Sequence, residues 1–97
     1  MARRDDSDQL AVRFGRNLFR VRRATGLSQE DMRLRADLHR THIGAIERGR
    51  RLPRLDTIIK LAAGSEVPPA DLLDGMAWLL PSADQPGGRF IVVGERR

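Results

Sequence analysis

The sequence contains no cysteine and only two histidines. Without cysteine, the chain has no disulfide bond, no thiolate ligand for a metal and no thiol nucleophile. The histidines, His39 and His42, lie close to Glu47 in the stretch HRTHIGAIERGRR. On a helix, Glu47 lies about 140° from His42, so the three side chains do not share a face, and two histidines alone lack the third ligand of a catalytic zinc site. We therefore predict no metal and no cofactor.

Long apolar runs are also missing. No stretch approaches the roughly 18 consecutive apolar residues of a membrane span, and the amino terminus, MARRDDSDQ, has no apolar segment. We therefore expect no membrane partner and a cytoplasmic location. With 97 residues, 40% of them hydrophobic, the chain can form one small domain but not two. Its hydroxyl and imidazole side chains form no recognisable pair of nucleophile and base, so no enzymatic activity is predicted.

Lysine is nearly absent, and the basic charge is unevenly distributed. Of the 18 basic residues only Lys60 is lysine, and arginine has the planar fork that suits phosphate and guanine edges. Residues 10–60 carry thirteen basic and five acidic side chains, whereas residues 61–88 carry four acidic side chains and no basic one. The net charge of +5 is thus concentrated in the segment that contains both histidines. This distribution is compatible with nucleic-acid binding.

Apolar residues recur at helical spacing through most of the chain, and glycine and proline separate the helical stretches. Leu10, Phe14 and Leu18 belong to an apolar stripe, and the arginines between them are interpreted mostly as a solvated face. Ser28 is a suitable N-cap for the second helix, and Gly26 a suitable end for the first. The predicted helices span about residues 7–25, 29–36, 39–48, 55–64 and 69–80.

The composition changes beyond Pro81. SADQPGG is typical of a flexible linker, and RFIVV is a run suited to one short β-strand. An isolated strand is not stable, so it must pair within the chain, add to another chain or stay disordered. We therefore predict a flexible amino-terminal arm (residues 1–7), an all-α domain of five helices (8–80), and a linker and tail (81–97).

Residues 27–62, LSQEDMRLRADLHRTHIGAIERGRRLPRLDTIIKLA, resemble the phage lambda repressor and Cro-like helix-turn-helix family, also called the xenobiotic-response-element (XRE) family. The landmarks are Gln29, Ala36, Leu38, the IERG of 46–49 and the P-x-L-x-T-I-x-K-L-A of 53–62. With the flanking helices, the resemblance extends over about residues 8–79. It implies a lambda repressor-like DNA-binding domain whose third helix is the recognition helix.

Two residues depart from the family pattern. Arg33 stands where the family usually has a small residue at the crossing of the two helices, and Asp37 stands where it often has glycine. Because aspartate tolerates the left-handed conformation, the second departure is benign. We expect Arg33 to extend outward, or the helices to pack slightly further apart.

The resemblance also implies residue roles. Arginine can bind guanine bidentately, and the threonine and alanine methyl groups can contact thymine. Base contacts are implied for His39, Arg40, Thr41, Gly44 and Ala45, of which the glycine offers a flat surface for close approach. Phosphate contacts are implied for Gln29, His42, Arg48, Arg50, Arg51 and Arg22, although Arg50 and Arg51 can also be interpreted as a solvated basic loop. Arg22 and Glu47 match a family pair with a structural role.

The predicted function is sequence-specific binding to double-stranded DNA by a transcriptional regulator, acting as a repressor through operator occupancy. Because one such domain reads few base pairs, a homodimer on a two-fold related site is expected. Candidate interface residues are Met76, Trp78, Leu79, Leu80, Phe90, Ile91 and Val92, although Trp78 fits the monomer core equally well. The alternative is an antitoxin-type or other interaction protein that binds a partner protein through the acidic 61–88 segment or the tail and autoregulates through the same domain.

Overall fold

The computed structural model of the protein describes residues 4–94, in which five helices precede a two-stranded sheet. The predicted five-helix architecture, with a strand in the carboxyl-terminal tail, is confirmed. In chain order the elements are α1 (Arg4–Ala24), α2 (Gln29–Ala36), α3 (Arg40–Glu47), α4 (Leu55–Ser65), α5 (Pro69–Leu72), β1 (Met76–Leu79) and β2 (Arg89–Val92).

The hydrophobic core lies between α1 and the four helices that follow it. Apolar residues at helical spacing give each helix one apolar face, and those faces meet in the centre. Full burial of one large apolar side chain stabilises the fold by about 1.5–3 kcal/mol. The largest fully buried apolar side chains are Phe14, Leu18, Met32, Ile43, Ile46, Leu61 and Leu72.

α1 approaches the end of α3 closely at Gly15. A methyl group at this position would lie 2.6 Å from the backbone oxygen of Glu47, which is closer than atoms without a bond can approach. Only glycine allows this distance without a shift of the backbone. The contact fixes the carboxyl-terminal end of α3 against α1, while the amino-terminal end of α3 stays at the surface.

The first helix begins earlier than the sequence predicts. Residues 1–3 of the predicted arm lie outside the described residues, whereas residues 4–7 form the first turn of α1. The arm assignment is therefore wrong for residues 4–7, because this stretch contains neither glycine nor proline and nothing in it breaks the helix. At its other end α1 stops at Ala24, and Gly26 takes the left-handed conformation with a φ of 76°.

The turn between α2 and α3 depends on local signals. A capping box starts α2, since Ser28 Oγ accepts from the Asp31 N–H and the Asp31 carboxylate accepts from the Ser28 N–H. Asp37 ends α2 in the left-handed conformation with a φ of 53°. Arg33 extends outward and its Nη2 lies 2.9 Å from the Glu30 carboxylate. The arginine at the helix crossing therefore leaves the packing of α2 on α3 intact.

The fourth helix continues past the glycine that was predicted to end it. α4 ends at Ser65, and Glu66 takes the left-handed conformation with a φ of 57°. Gly64 instead lies where α2 approaches α4, and a methyl group there would lie 3.2 Å from Met32 Sδ. This glycine therefore serves the packing of two helices rather than the end of one.

The predicted fifth helix is wrong beyond its first turn. α5 ends at Leu72, and the next residues form β1 instead of continuing the helix. Gly75 separates the two elements with a φ of 82°, which a right-handed helix does not contain. β1 pairs with β2 in an antiparallel register that sets Trp78 opposite Phe90. The strand in the tail thus finds its partner within the same chain.

A buried arginine of α1 holds the end of the carboxyl-terminal hairpin. Arg13 is 5% exposed, and its two Nη atoms donate to the backbone oxygens of Val93 and Gly94. Its Nε donates to Asn17 Oδ1 over 3.3 Å. Arg13 therefore departs from the solvated face that was expected for the arginines of α1. Burial is tolerated because each nitrogen of the guanidinium has an acceptor.

Asn17, one turn further along α1, holds the start of the hairpin. It is fully buried, and its Nδ2 donates to the backbone oxygens of Leu72 and Asp74, both over 2.9 Å. These two oxygens belong to the segment that leaves α5. The side chain therefore replaces the helical hydrogen bonds that this segment gives up.

We expect Asn17→Ala to lower the free energy of unfolding by about 2–3 kcal/mol, because it removes the two hydrogen bonds that Asn17 donates to the backbone oxygens of Leu72 and Asp74. Urea unfolding measures the loss. Gln9→Ala is the control, since Gln9 is exposed on the same helix and should change the value by less than about 0.5 kcal/mol. Equal losses in the two variants would contradict the role of Asn17.

Candidate nucleic-acid interface

The amino-terminal end of α3 is exposed and capped by a histidine. His39 is the N-cap, and its Nδ1 accepts a hydrogen bond from the Thr41 N–H and lies 2.7 Å from Thr41 Oγ1. Arg40 and Thr41 are exposed and Ala45 is half-buried, whereas Ile43 on the opposite face is buried. Three of the predicted base contacts therefore share the outward side of α3, with His39 at its start.

The carboxyl-terminal end of α3 is fixed by a buried carboxylate. Arg22 donates from Nε and Nη2 to the two oxygens of Glu47, at 2.5 and 2.9 Å, and the side chains are only 9% and 5% exposed. Gln29 Nε2 donates to the same carboxylate over 3.0 Å. The hydrogen bonds that Arg22 donates to Glu47 raise the pKa of Arg22 above its ordinary value, although burial acts in the opposite direction. One carboxylate thus joins α1, α2 and α3.

The same contacts change the roles expected for Arg22 and Gln29. Arg22 also donates from Nη1 to the backbone oxygen of Leu27, so each of its three nitrogens is bonded within the chain. Because it is buried as well, the structure gives Arg22 a structural role and does not present it as a phosphate contact. Gln29 is half-exposed and keeps one side-chain N–H and its backbone N–H, at the first turn of α2, for an anion.

The surface at Gly44 differs from the flat, open one that the sequence predicts. Gly44 is buried, because the Arg48 guanidinium lies across it, and a methyl group at Gly44 would lie 2.9 Å from Arg48 Nη1. Arg48 itself is exposed and ends α3. The absence of a side chain at Gly44 therefore makes room for an arginine of the same chain, which can present its charge beside the outward face of α3.

The loop after α3 carries a group of exposed arginines. Gly49 turns the chain with a φ of 71°, and Arg50 and Arg51 follow on the surface. Together with Arg48 they form a basic exit from the predicted recognition helix. Flexible exposed arginines of this kind suit phosphates, which position a protein on DNA without reading its sequence.

Arg23 is a candidate contact that the sequence interpretation missed. It is exposed at the end of α1 and lines a surface depression together with Ser28 and Gln29 at the start of α2. Backbone N–H groups at the start of a helix attract anions, and an arginine beside them adds to that attraction. The sequence offered no signal that separates Arg23 from the other arginines of α1, because only the fold brings it next to α2.

His42 is half-buried on α3. Burial lowers its pKa below the ordinary 6.5, and electrostatic interactions with Arg51 and His39 lower it further. His42 is therefore neutral at pH 7 and can give a phosphate one N–H donor but no charge. This makes the predicted phosphate contact at His42 a neutral hydrogen bond.

The hairpin contains the predicted dimer-interface residues. Met76, Phe90, Ile91 and Val92 are half-buried within the chain itself. The Trp78 ring lies edge-on to Phe90 with centroids 4.9 Å apart, and it is still 41% exposed. Leu79 and Leu80 are also exposed.

The described residues, 4–94, lack two further kinds of site. This part of the chain holds no group of three histidine, cysteine or acidic side chains that could bind a metal ion. It also has no helix with the length and apolar character needed to cross a membrane.

Comparisons with known proteins agree with the helix-turn-helix fold. A family model described as a helix-turn-helix domain matches residues 13–74, which end just before the hairpin. The control protein C.BamHI of Bacillus amyloliquefaciens is 39% identical over 69 residues, covering 70% of this chain and 85% of that protein. An uncharacterized HTH-type transcriptional regulator of Sinorhizobium fredii, y4dJ, is 36% identical over 59 residues, covering 61% of this chain and 77% of that protein.

A solved structure is also similar to this chain in sequence and fold. The restriction-modification controller protein C.AhdI of Aeromonas hydrophila is 40% identical to this chain and superposes with a TM-score of 0.62. The superposition covers 64% of this chain and 94% of that protein. The similarity therefore extends over nearly all of the smaller protein.

We expect Glu47→Ala to lower the free energy of unfolding by about 3–5 kcal/mol, because it strands the buried guanidinium of Arg22. Thermal or urea unfolding checks this. The double variant Arg22→Met with Glu47→Leu should recover a large part of the loss, since it leaves no buried charge without a partner. If the double variant is as unstable as Glu47→Ala, the stranded charge is not the cause.

The free energy of unfolding should fall as the pH is lowered from 7 through 6.5 towards 5. The pKa of His42 is lower in the folded protein than in the unfolded chain. The unfolded chain therefore binds a proton more readily, and stability that is present above the pKa of the unfolded chain is lost as the pH falls below it. His42→Gln should decline less over the same range. An imidazole titration midpoint at or above 6.5 for His42, measured by NMR, would contradict the assignment.

Proposed function

This chain belongs to the helix-turn-helix family of lambda repressor-like (XRE) DNA-binding regulators, and from that premise we propose that it binds a specific double-stranded DNA sequence as a homodimer and represses transcription by occupying its operator. The family resemblance that the sequence indicates is thereby confirmed. The specific site, the repression and the pairing of two copies are the proposal.

The observation that carries the proposal is the exposed first turn of α3 on a rigid support. Arg40 and Thr41 are exposed there, while Ile43 and Ile46 are fully buried and Glu47 is held by α1 and α2. Side chains that read bases must be placed accurately, because a base edge offers donors and acceptors at fixed positions. A helix supported at its inner face and far end meets this requirement.

The base-reading set that follows is His39, Arg40, Thr41 and Ala45. Arg40 has the fork that binds the two acceptors of guanine, and Thr41 and Ala45 have methyl groups for thymine. Thr41 Oγ1 is already bonded to His39, so its methyl group is the part left for a base. Gly44 is omitted because Arg48 covers it.

The phosphate-binding set surrounds the outward face of α3. Gln29 lies at the start of α2 and Arg23, at the end of α1, lines the same surface depression, while Arg48, Arg50 and Arg51 lie after α3. His42 adds a neutral donor. Contacts from α1, α2 and the loop after α3 would together fix the position of the recognition helix along the groove, so that Arg40 meets the same base pair in every complex.

Occupancy is the proposed mechanism of regulation. One helix-turn-helix reads only a few base pairs, so useful specificity calls for two copies on a two-fold related site. A dimer placed over a promoter excludes polymerase without any catalytic group. The relatives named above include a control protein, a controller protein and a transcriptional regulator, which supports a regulatory role.

A second candidate function is an interaction protein of the antitoxin type that also autoregulates through α3. The observation in its favour is the hairpin, where Trp78, Leu79 and Leu80 are exposed within the acidic 61–88 segment. A partner protein with a basic, apolar surface would cover them. Co-purification of a second small protein, abolished by Trp78→Ala, would favour this function.

We expect Arg40→Ala and Arg51→Ala to have different effects on the affinity for a duplex selected from a random pool. Arg40→Ala should weaken binding to the selected site by about 1–3 kcal/mol and relax the preference at one base pair per half-site, because a bidentate base contact is lost. Competition titrations against a random duplex measure both effects.

Arg51→Ala is the matched control, because it removes an arginine of the exit loop. It should weaken all duplexes alike and make the slope of log affinity against log salt shallower by about 1 per site. If Arg40→Ala weakens selected and random duplexes equally, Arg40 contacts phosphate and the base-reading assignment is wrong.

A further inference from the structure

β1 is the outer strand of the carboxyl-terminal hairpin. The sheet in the described residues has two strands, β2 lies against α1, and Ala77, Trp78 and Leu79 of β1 are exposed. One side of β1 therefore pairs with β2, and its other side has no neighbouring strand within residues 4–94. The open side of such a strand presents backbone N–H and C=O groups that another chain can bind.

The register of the hairpin shows which backbone groups point away from β2. The Val93 N–H donates to the Gly75 oxygen over 2.8 Å, so these two residues are a hydrogen-bonded pair of the ladder. In antiparallel pairing, such pairs alternate with pairs that exchange no hydrogen bond. Trp78 lies opposite Phe90, and the alternation makes this a pair of the second kind. The N–H and C=O of Trp78 therefore point to the open side of β1.

Met76 and Leu80 share the orientation of Trp78, since they lie two residues before and after it. The Met76 N–H donates to the Leu73 oxygen over 3.1 Å, which agrees with a direction away from β2. Pro81 follows and has no N–H. The groups that point outward include the N–H donors of Trp78 and Leu80 and the C=O acceptors of Met76 and Trp78. We call these three residues the β1 edge.

The β1 edge lacks the features by which proteins usually protect an edge strand. These features are a charged residue or a proline within the strand, a bulge, or a covering helix. Residues 75–80, GMAWLL, contain neither a charge nor a proline, and the register with β2 has no interruption. The side chains are also apolar and uncovered, with Trp78 41% and Leu80 72% exposed. These properties indicate an edge that another strand covers.

We propose that the β1 edges of two copies of this chain pair antiparallel, about a two-fold axis at Trp78, and join the two hairpins into one four-stranded sheet. The Trp78 N–H of each copy then donates to the Trp78 oxygen of the other copy. The Leu80 N–H of each copy donates to the Met76 oxygen of the other. Each outward donor of the β1 edge thereby meets an acceptor, and a two-fold axis makes this exchange reciprocal.

The composition of the β1 edge favours a second copy over a different protein. A two-fold contact sets residues near their own equivalents, so a charged edge would repel itself, whereas this edge carries no charge. The same contact sets two Trp78 indoles side by side, because opposite residues of an antiparallel pair have Cβ atoms about 5 Å apart. α1 packs on β2, which becomes the outer strand of the joined sheet, so the two copies of α1 stay apart.

The inference goes beyond the proposed function, because the β1 edge joins copies whether or not DNA is bound. It uses no residue of the base-reading or phosphate-binding sets, so a joined pair keeps those residues for DNA. The interface predicted from the sequence consisted of apolar side chains of the hairpin. In the pairing proposed here, the backbone of Trp78 sets the register and the side chains add apolar area.

The first test introduces cysteines into a chain that has none. A two-fold axis at Trp78 sets Ala77 of one copy opposite Leu79 of the other, with Cα atoms about 4.5 Å apart, which suits a disulfide bond. Two copies of Ala77, or two of Leu79, would lie about 8 Å apart, which is too far. On oxidation, a mixture of Ala77→Cys and Leu79→Cys should form about tenfold more covalent dimer than either variant alone. Equal yields, measured by non-reducing electrophoresis, would overturn the proposed register.

The second test separates the backbone of the β1 edge from its side chains. Leu80→Pro and Leu80→Ala both remove an exposed apolar side chain, but only proline also removes the N–H that donates to Met76 of the other copy. Leu80→Pro should weaken self-association at least about tenfold more than Leu80→Ala, because two symmetry-related hydrogen bonds are lost. Trp78 is the only tryptophan of the chain, so the dependence of its fluorescence on protein concentration measures association at β1. Equal weakening by the two variants would contradict the backbone pairing.

Both tests use the full chain without DNA, so their outcome is independent of the proposed function. Trp78 emission that stays constant from dilute to concentrated wild-type protein would overturn the self-pairing. The same holds if a different small protein co-purifies with the chain and changes the Trp78 emission in place of a second copy. A wild-type protein that pairs at the β1 edge and yet binds no selected duplex would support this inference and overturn the proposed function.

Discussion

Glu47 receives hydrogen bonds from Arg22 of α1 and Gln29 of α2, so one buried carboxylate fixes the relative positions of three helices. Gly15 brings the same end of α3 against the backbone of α1. With the far end of α3 held in this way, the outward residues at its start have defined positions. The exposed side chains that are proposed to read DNA bases therefore depend on an ion pair that has no contact with DNA. Its removal would act on recognition through the geometry of α3.

The arginines of this chain divide into two groups with different physical roles. Arg13 and Arg22 are buried, and each is compensated by oxygen acceptors of the same chain. Those of the α3 exit, such as Arg50 and Arg51, are exposed and are available to phosphate. The guanidinium suits both purposes, because its planar fork can satisfy several acceptors in the interior and can pair with phosphate at the surface. A count of basic residues overstates the DNA-binding surface for this reason.

The family match ends near residue 74, and the hairpin beyond it is tied to α1 by Arg13 and Asn17. These contacts make the last part of the chain an extension of the core rather than a free tail. The hairpin also carries exposed apolar side chains, among them Trp78 and Leu79, outside the candidate DNA interface. Within residues 76–92 the charges of Asp84 and Arg89 cancel, so exposed apolar side chains, rather than net charge, distinguish this surface.

The sequence by itself determined the features that depend on neighbours a few residues apart. Helical periodicity, the N-cap at Ser28 and the tolerance of Asp37 for the left-handed conformation predicted α2, the turn and α3, and with the spacing of the landmarks they predicted the helix-turn-helix. Only the tertiary structure decided which arginines are buried, since the backbone oxygen that accepts from Arg13 lies 80 residues away in sequence. It also decided that the segment after Gly75 is a strand, because its apolar residues fit either element locally and pairing with β2 favours one. The sequence around a residue carries no information about a partner that the fold brings from the other end of the chain.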